Sequence, residues 1–195
     1  MIPPILVTPP AGDPVVTLAE AKLHCRVDDT AEDTLITSLV GAATSFLDGW
    51  RGKLGRCIVN QTWKQFYSAW GDPMRLPFCD VSSVASLTYY DADAAEQTVD
   101  SDAFELIEDA RSAQIHFKDA FTRPPLDSDR AFPIEIEFIA GFGAASAVPE
   151  DLKQLVKLMV GHWYENREAS IVGTSVNELP LGAQSLIANY RRVGV

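Results

Sequence analysis

Residues 132–167 read FPIEIEFIAGFGAASAVPEDLKQLVKLMVGHWYENR, and the spacing of the apolar residues changes partway through. Ile134, Ile136 and Phe138 alternate with Glu135 and Glu137, the two-residue repeat of a strand with one wet face. After the turn Gly141-Phe142-Gly143, Leu152, Leu155, Val156, Met159 and Trp163 recur at helical spacing, the stripe of an amphipathic helix. Pro149 suits the first helical position, and Glu150 and Asp151 fill the first turn, where the helix dipole favours acids. The spacing predicts a strand, a sharp turn and a helix over 149–167.

Upstream of this stretch the strand character continues. "CIVNQTWKQFYSAW" from residue 57, then "VASLTYYD", "EQTVD" and "AQIHF", are rich in β-branched and aromatic residues and are separated by Gly, Pro and Asp clusters. "YYDADAAEQTV" reads as a hairpin with a loose acidic turn. Residues 57–140 are therefore expected to form a small, mostly antiparallel β lobe. Before it, Thr17-Leu-Ala-Glu20 is a capping box that starts a short helix over about 18–25, with Leu18 and Leu23 as its anchors. A second helix is expected from an N-cap at Asp29 or Thr30 to about residue 50. Its apolar stripe is Leu35, Leu39, Ala42, Phe46 and Trp50, with Ile36, Val40, Ala43 and Leu47 beside it. Past residue 168 a linker ends at Pro180, and a short amphipathic helix over about 182–190 carries Leu186, Ile187 and Tyr190.

Helices at both ends with strands between them make one α+β domain: a helical bundle of N- and C-terminal helices with an inserted β lobe. Its expected parts are an extended Pro-rich arm over 1–14, a helical core over 15–56 and 141–168, the β lobe over 57–140, and a docking tail over 169–195. The 195 residues and 47% hydrophobic content suit a single domain. No apolar run approaches the ~18–20 residues of a membrane span. The opening MIPPILVTPPAGDP has neither the basic nor the apolar region of a secretory signal. Cys25, Cys57 and Cys79 are too widely spaced for a zinc knuckle or a CxxC pair and read as reduced thiols.

The net charge is −11, which argues against a general nucleic-acid binder. The charge is uneven: residues 80–140 carry fourteen acids and four bases, whereas residues 50–79 carry one acid and five bases. Those five are Arg51, Lys53, Arg56, Lys64 and Arg75. Arg51, Lys53 and Arg56 beside Trp50, and Lys64 beside Trp63, form the one arrangement suited to loose phosphate contact and base stacking. The competing reading is a basic loop after a helix, followed by an edge strand whose tryptophan is core.

Residues 161–168 hold catalytic residue types. His162 and Glu165 are three apart and share a helix face. With Glu168 they would make a small metal-dependent hydrolase, but zinc needs a third protein ligand, and His24 and His116 stand in no partnering motif. No nucleophile elbow, Walker loop or dinucleotide fingerprint occurs. Assembly accounts for more of the sequence. Ile171, Val172, Val176 and Leu179 lie in a segment too irregular to bury itself, and the last helix is too short to be stable alone. Trp163, Tyr164 and Arg167 precede it, and these types dominate interface hot spots.

The segments VTLAEAKLHCRVD…EDTLITSLVGAATSFLD, NQTWKQ and VPEDLKQLVKLMVGHWYENREASIVGTSVNELPLGAQSLIANYR resemble the phage head–tail connector (adaptor) family of long-tailed phages and gene transfer agents. The run His162–Glu168 with Glu178–Gly182 is the most specific part, and the acidic lobe at 80–130 and the arm at 1–14 the least. The resemblance implies a non-enzymatic virion structural protein without cofactor or metal. It implies a homo-oligomeric ring of about twelve subunits between the portal protein and a stopper or tail-terminator protein. Double-stranded DNA passes through such a ring without specific binding. The particle, a phage or gene transfer agent, assembles in the bacterial cytoplasm, with no membrane involved. The resemblance also implies that residues 178–195 reach the portal. Tyr164, Arg167, Leu179, Leu181, Leu186, Ile187, Tyr190, Arg191 and Arg192 are the expected contact residues. His162 and Glu165 are then a polar flank, and Trp163 is core against Leu35, Leu39 and Phe46.

Overall fold

The computed structural model describes residues 2–109, 111–166 and 179–192. The chain divides into two compact units. One comprises Met1–Ala11, Val59–Phe142 and Arg192–Val195; the other comprises Gly12–Ile58 and Gly143–Arg191.

The first unit is β. Its strands are β1 (Ile5–Thr8), β2 (Gln61–Tyr67), β3 (Met74–Arg75), β4 (Val81–Tyr90), β5 (Glu96–Thr98), β6 (Phe104–Glu108), β7 (Ala113–Phe117) and β8 (Ile134–Ala140). They form a five-stranded sheet in the order β1-β2-β8-β4-β5 and a three-stranded sheet in the order β3-β7-β6. Every pairing between these strands is antiparallel. β2 runs against β8 in unbroken register from Gln61↔Ala140 to Tyr67↔Ile134. This register puts Trp63 opposite Phe138 and Gln65 opposite Ile136, with Ile134, Ile136 and Phe138 fully buried. Gly141 turns the chain out of β8 at φ 138°, and a Cβ there would lie 2.6 Å from the Val59 carbonyl, so only glycine fits.

Three expectations for this unit change. The arm is not only an extended leader, because β1 pairs along β2. The wholly buried Gln65 amide also donates to the Ile2 carbonyl at 3.0 Å. β2 is consequently an interior strand rather than an edge. Trp63, 7% exposed, packs at 5.0 Å from Phe78, which places it in the core and removes it from any base-stacking surface. The acidic hairpin forms, β4 pairing with β5, but its turn is held rather than loose. Asp91 accepts from the amides of Asp93 and Ala95, each at 3.0 Å, and from Gln97 Nε2 at 2.8 Å. These bonds, Gln97's first, hold its carboxyl below the usual range.

The second unit is helical: α1 (Leu18–Cys25), α2 (Asp33–Leu47), α3 (Glu150–Glu165) and α4 (Leu181–Tyr190). The capping box forms in both directions, Glu20 N donating to Thr17 Oγ1 at 3.2 Å and Thr17 N to Glu20 Oε2 at 2.7 Å. α1 buries only Ala21, however, and Leu23 is 82% exposed, so it anchors nothing. α2 starts later than expected because the Asp29 side chain is taken by the Ala31 amide at 2.9 Å, closing a turn instead of a cap. Of its two neighbouring stripes, Ile36, Val40, Ala43 and Leu47 are the buried one. Leu35, Leu39 and Phe46 are half-buried and Ala42 is exposed. In α3, Leu152, Leu155, Val156, Met159 and Val160 are buried. Pro149 occupies the N-cap rather than the first helical position, its carbonyl accepting from Leu152 N at 3.0 Å. Trp163 meets Phe46 edge to face at 6.1 Å but is half-buried, on the margin of the core rather than inside it. No helix of the described residues is long and apolar enough to cross a membrane.

Candidate docking surface at the end of the helical unit

The surface is built on the last turns of α3 and on α4. The Tyr164 hydroxyl donates to the Glu32 carboxylate at the N-cap of α2, fixing where α3 ends. α4 lies back on α3. Ala183 is completely buried, and a Cβ at Gly182 would reach Leu158 Cδ1 at 3.8 Å. The small side chain of Ala183 is what α4 buries at this point, whereas a Cβ at the exposed Gly182 would make only ordinary van der Waals contact; a short helix needs such docking because its own turns contribute little stability. Pro180 at the N-cap fixes the entry, and Gln184 Nε2 donates to the Leu179 carbonyl at 3.0 Å.

The expected contact residues then divide. Leu186, Ile187 and Tyr190 are half-buried. The Tyr190 hydroxyl stands 3.4 Å from Asp151 Oδ2. Partial burial, followed by the Asp151 charge, pushes its pKa up, so it remains a neutral donor. Leu181 is 77% exposed at the head of α4, and Arg191 is exposed at its C-cap. In the β unit, the Arg192 guanidinium donates to the Pro77 carbonyl. Leu179 is half-buried. Arg167 lies outside the described residues, as do Glu168 and the apolar positions Ile171, Val172 and Val176.

His162 and Glu165 line a cavity of about 220 Å³ together with His24, Cys25, Leu158, Tyr164 and Pro180. Burial, and then the Glu165 charge, push the Cys25 thiol up, away from the thiolate that a nucleophile or a metal ligand requires. The Asn166 amide closes over the helix end, donating to the His162 carbonyl at 2.9 Å. Among the described residues, no three His, Cys, Asp or Glu side chains are grouped to hold a metal ion. The five cations of residues 50–79 are also divided. Lys64 pairs with Glu135 at 2.9 Å and Arg75 with Asp109 at 3.0 Å. Arg51 and Lys53 stay exposed in the loop after α2.

The family model of the phage gp6-like head-tail connector protein matches residues 15–65 and 130–191. These spans contain all four helices, β8 and the start of β2, and they leave out the arm and most of the acidic lobe. A chain in the neck of an empty GTA particle computed with C6 symmetry is 28% identical. The match covers 100% of this chain and 97% of that one, with a TM-score of 0.77. A chain in the virion of a native gene transfer agent (GTA) particle is 29% identical, with the same coverage and TM-score. A third, from the neck of a native GTA particle computed with C12 symmetry, shares the fold at 24% identity and a TM-score of 0.66, covering 97% of both chains. No curated protein matches the chain.

Proposed function

Because this chain belongs to the phage gp6-like head–tail connector family, we propose that it forms a ring of identical subunits in the neck of a phage-like particle, between the portal above and a stopper or tail-terminator protein below. The protein is a structural connector and not an enzyme; the hydrolase reading on His162, Glu165 and Glu168 has no support. The observation that carries the proposal is the agreement of the family match with the helical unit: the matched spans contain the elements that build the docking surface.

Ring formation is supported by the C6 symmetry of the neck that holds a relative 28% identical to this chain. Six-fold symmetry accommodates rings of six or of about twelve copies. α4, held on α3 with Leu181 and Arg191 turned outward, is suited to carry the contact with the portal. A subunit of net charge −11, repeated around a ring, makes a collar that repels phosphate, so DNA slides through without adhering.

The test is complementation of a producer strain from which the gene has been deleted. Heads without tails in the deletion strain, and tailed particles with this chain at the neck on complementation, are the expected results. Normal tails in the deletion strain would refute the proposal.

A further inference from the structure

The loop at residues 48–58 is held more tightly than its length suggests. The Asp48 carboxylate accepts from Ile58 N at 2.7 Å. Gly49 N donates to Arg56 O at 2.9 Å, Lys53 N to Phe46 O at 2.9 Å and Leu54 N to Leu47 O at 3.1 Å. Leu54, Cys57 and Ile58 are completely buried beneath it. At Gly52 a Cβ would lie 2.2 Å from the Asp48 carbonyl, so the turn closes only on glycine. From this rigid base Arg51 and Lys53 project into solvent next to the half-buried Trp50. Lys53 Nζ lies 5.6 Å from the Phe46 ring centroid. Cations beside an aromatic on a preorganised loop match the composition of interface anchors.

The β unit carries a surface of the opposite kind. β6 is the end strand of the three-stranded sheet. It exposes Ile107, 42% accessible, with the exposed Glu105 two positions away on the same face and the exposed Glu108 next to it on the other face, so the two carboxylates straddle the edge of the sheet. Its register with β7 puts Glu105 opposite His116, Ile107 opposite Gln114 and Glu108 opposite Ala113, so neither carboxylate has a lysine or arginine as its cross-strand partner. One surface is thus an aromatic flanked by cations, and the other an aliphatic flanked by carboxylates. A cyclic ring of more than two copies needs two different, mutually complementary patches on each subunit.

Building on the connector reading above, we propose that the cationic loop at residues 48–58 docks on the β6 edge of a second copy of this chain, with Arg51 and Lys53 meeting Glu105 and Glu108, and Trp50 against Ile107. Charge complementarity favours a protein over DNA as the occupant. A chain of net charge −11 presents phosphate with a repulsive field, and Ile107 offers nothing to a nucleic acid.

The experiment is the complementation assay with R51E/K53E, with E105K/E108K, and with the four changes combined. Each pair alone is expected to lower the count of tailed particles by roughly tenfold or more, and the combination to restore it. The net charges separate pairing from general repulsion. Each reversal moves the charge by two, so R51E/K53E takes the chain from −11 to −15 and E105K/E108K takes it to −7. If bulk repulsion governed assembly, the second pair would help rather than harm. Melting temperatures of the purified variants identify any that fail to fold, and R51Q/K53Q then replaces the first pair, with a smaller loss expected. Normal tail counts with either reversed pair would overturn the proposal, as would failure of the combination to restore them. Tailed R51E/K53E particles that have lost DNA would overturn it too, because the loop would then face the channel. If the unchanged chain fails to restore tails, the connector reading falls and this inference with it. If the unchanged chain and R51E/K53E restore them equally, only this inference falls.

Discussion

The Tyr164 hydroxyl donates to the Glu32 carboxylate, 132 positions earlier in the chain, and so ties the last turn of α3 to the N-cap of α2. A hydrogen bond to a charged acceptor contributes about 1.5–3 kcal/mol where it is shielded from water. Both residues are half-buried, so the low end applies. Tyr164→Phe should destabilise the protein by about 1–1.5 kcal/mol with an unchanged denaturant slope, measured by urea unfolding. A loss below about 0.3 kcal/mol would mean that water replaces the bond without cost.

Trp163 gives a graded test of its marginal position. A fully buried aromatic cut back to alanine costs about 3–5 kcal/mol. With the side chain only partly buried and one edge-to-face partner, Phe46, Trp163→Ala should cost about 2 kcal/mol and still fold. A double-mutant cycle with Phe46→Ala should return a coupling of about 0.5–1.5 kcal/mol. A variant that does not fold would show that the side chain is central to the core.

Asp109 supplies a pH handle. The Ser112 and Arg111 amides, and then the Arg75 guanidinium, hold its carboxyl at about 2, below the ordinary 3.8. Because the folded-state pKa is depressed, the stabilisation is complete above about pH 4 and is lost as pH falls toward 2. Asp109→Asn should therefore flatten the acid limb of the melting-temperature profile between pH 4 and pH 2 and leave its shape near pH 7 unchanged. The check is thermal melting across that range; an acid limb that stays as steep in the variant would assign the drop to other carboxylates.

The C-terminal helix separates folding from assembly. Deleting residues 182–195 should leave a cooperatively melting protein, because α1, α2, α3 and the sheets remain, while abolishing tail attachment. Tyr190→Ala should reduce the count of tailed particles more than Arg192→Ala, as an aromatic anchor outweighs a cation whose guanidinium is already engaged by the Pro77 carbonyl of its own chain. Normal tails on particles carrying the truncated chain would remove the docking role of α4.

The elements legible in the sequence were those whose causes are local. The Thr17–Glu20 capping box sits where its four residues require, and the alternation of Ile134, Ile136 and Phe138 survives as the centre of the larger sheet. Elements that depend on distant partners were not legible. Nothing within residues 1–14 announces that β2 waits 53 positions beyond β1 to pair with it. The choice between the two stripes of α2 is made by what packs against the helix, since both are apolar. Leu23 looked like an anchor because it is a leucine in the last turn, yet α1 is too short to bury more than one face, and Ala21 occupies it. The docking surface was half legible. Its aromatic and aliphatic residues stood out, whereas the burial of Ala183 carries no signal beyond small size.

The strand order β1-β2-β8-β4-β5 also sets a timetable for synthesis. The strand in the middle of the larger sheet is the last one the ribosome makes. Until residue 134 emerges, β1 with β2 and β4 with β5 are two separate ribbons with no shared partner. Two-stranded ribbons are marginal in water. The nascent chain must keep both in solution until β8 inserts between them, and the five strands then become one sheet in a single step. The exposed carboxylates of Glu96 on β5 and Asp100 just after it suit that interval, because charge along an unpaired edge opposes pairing with a neighbouring nascent chain.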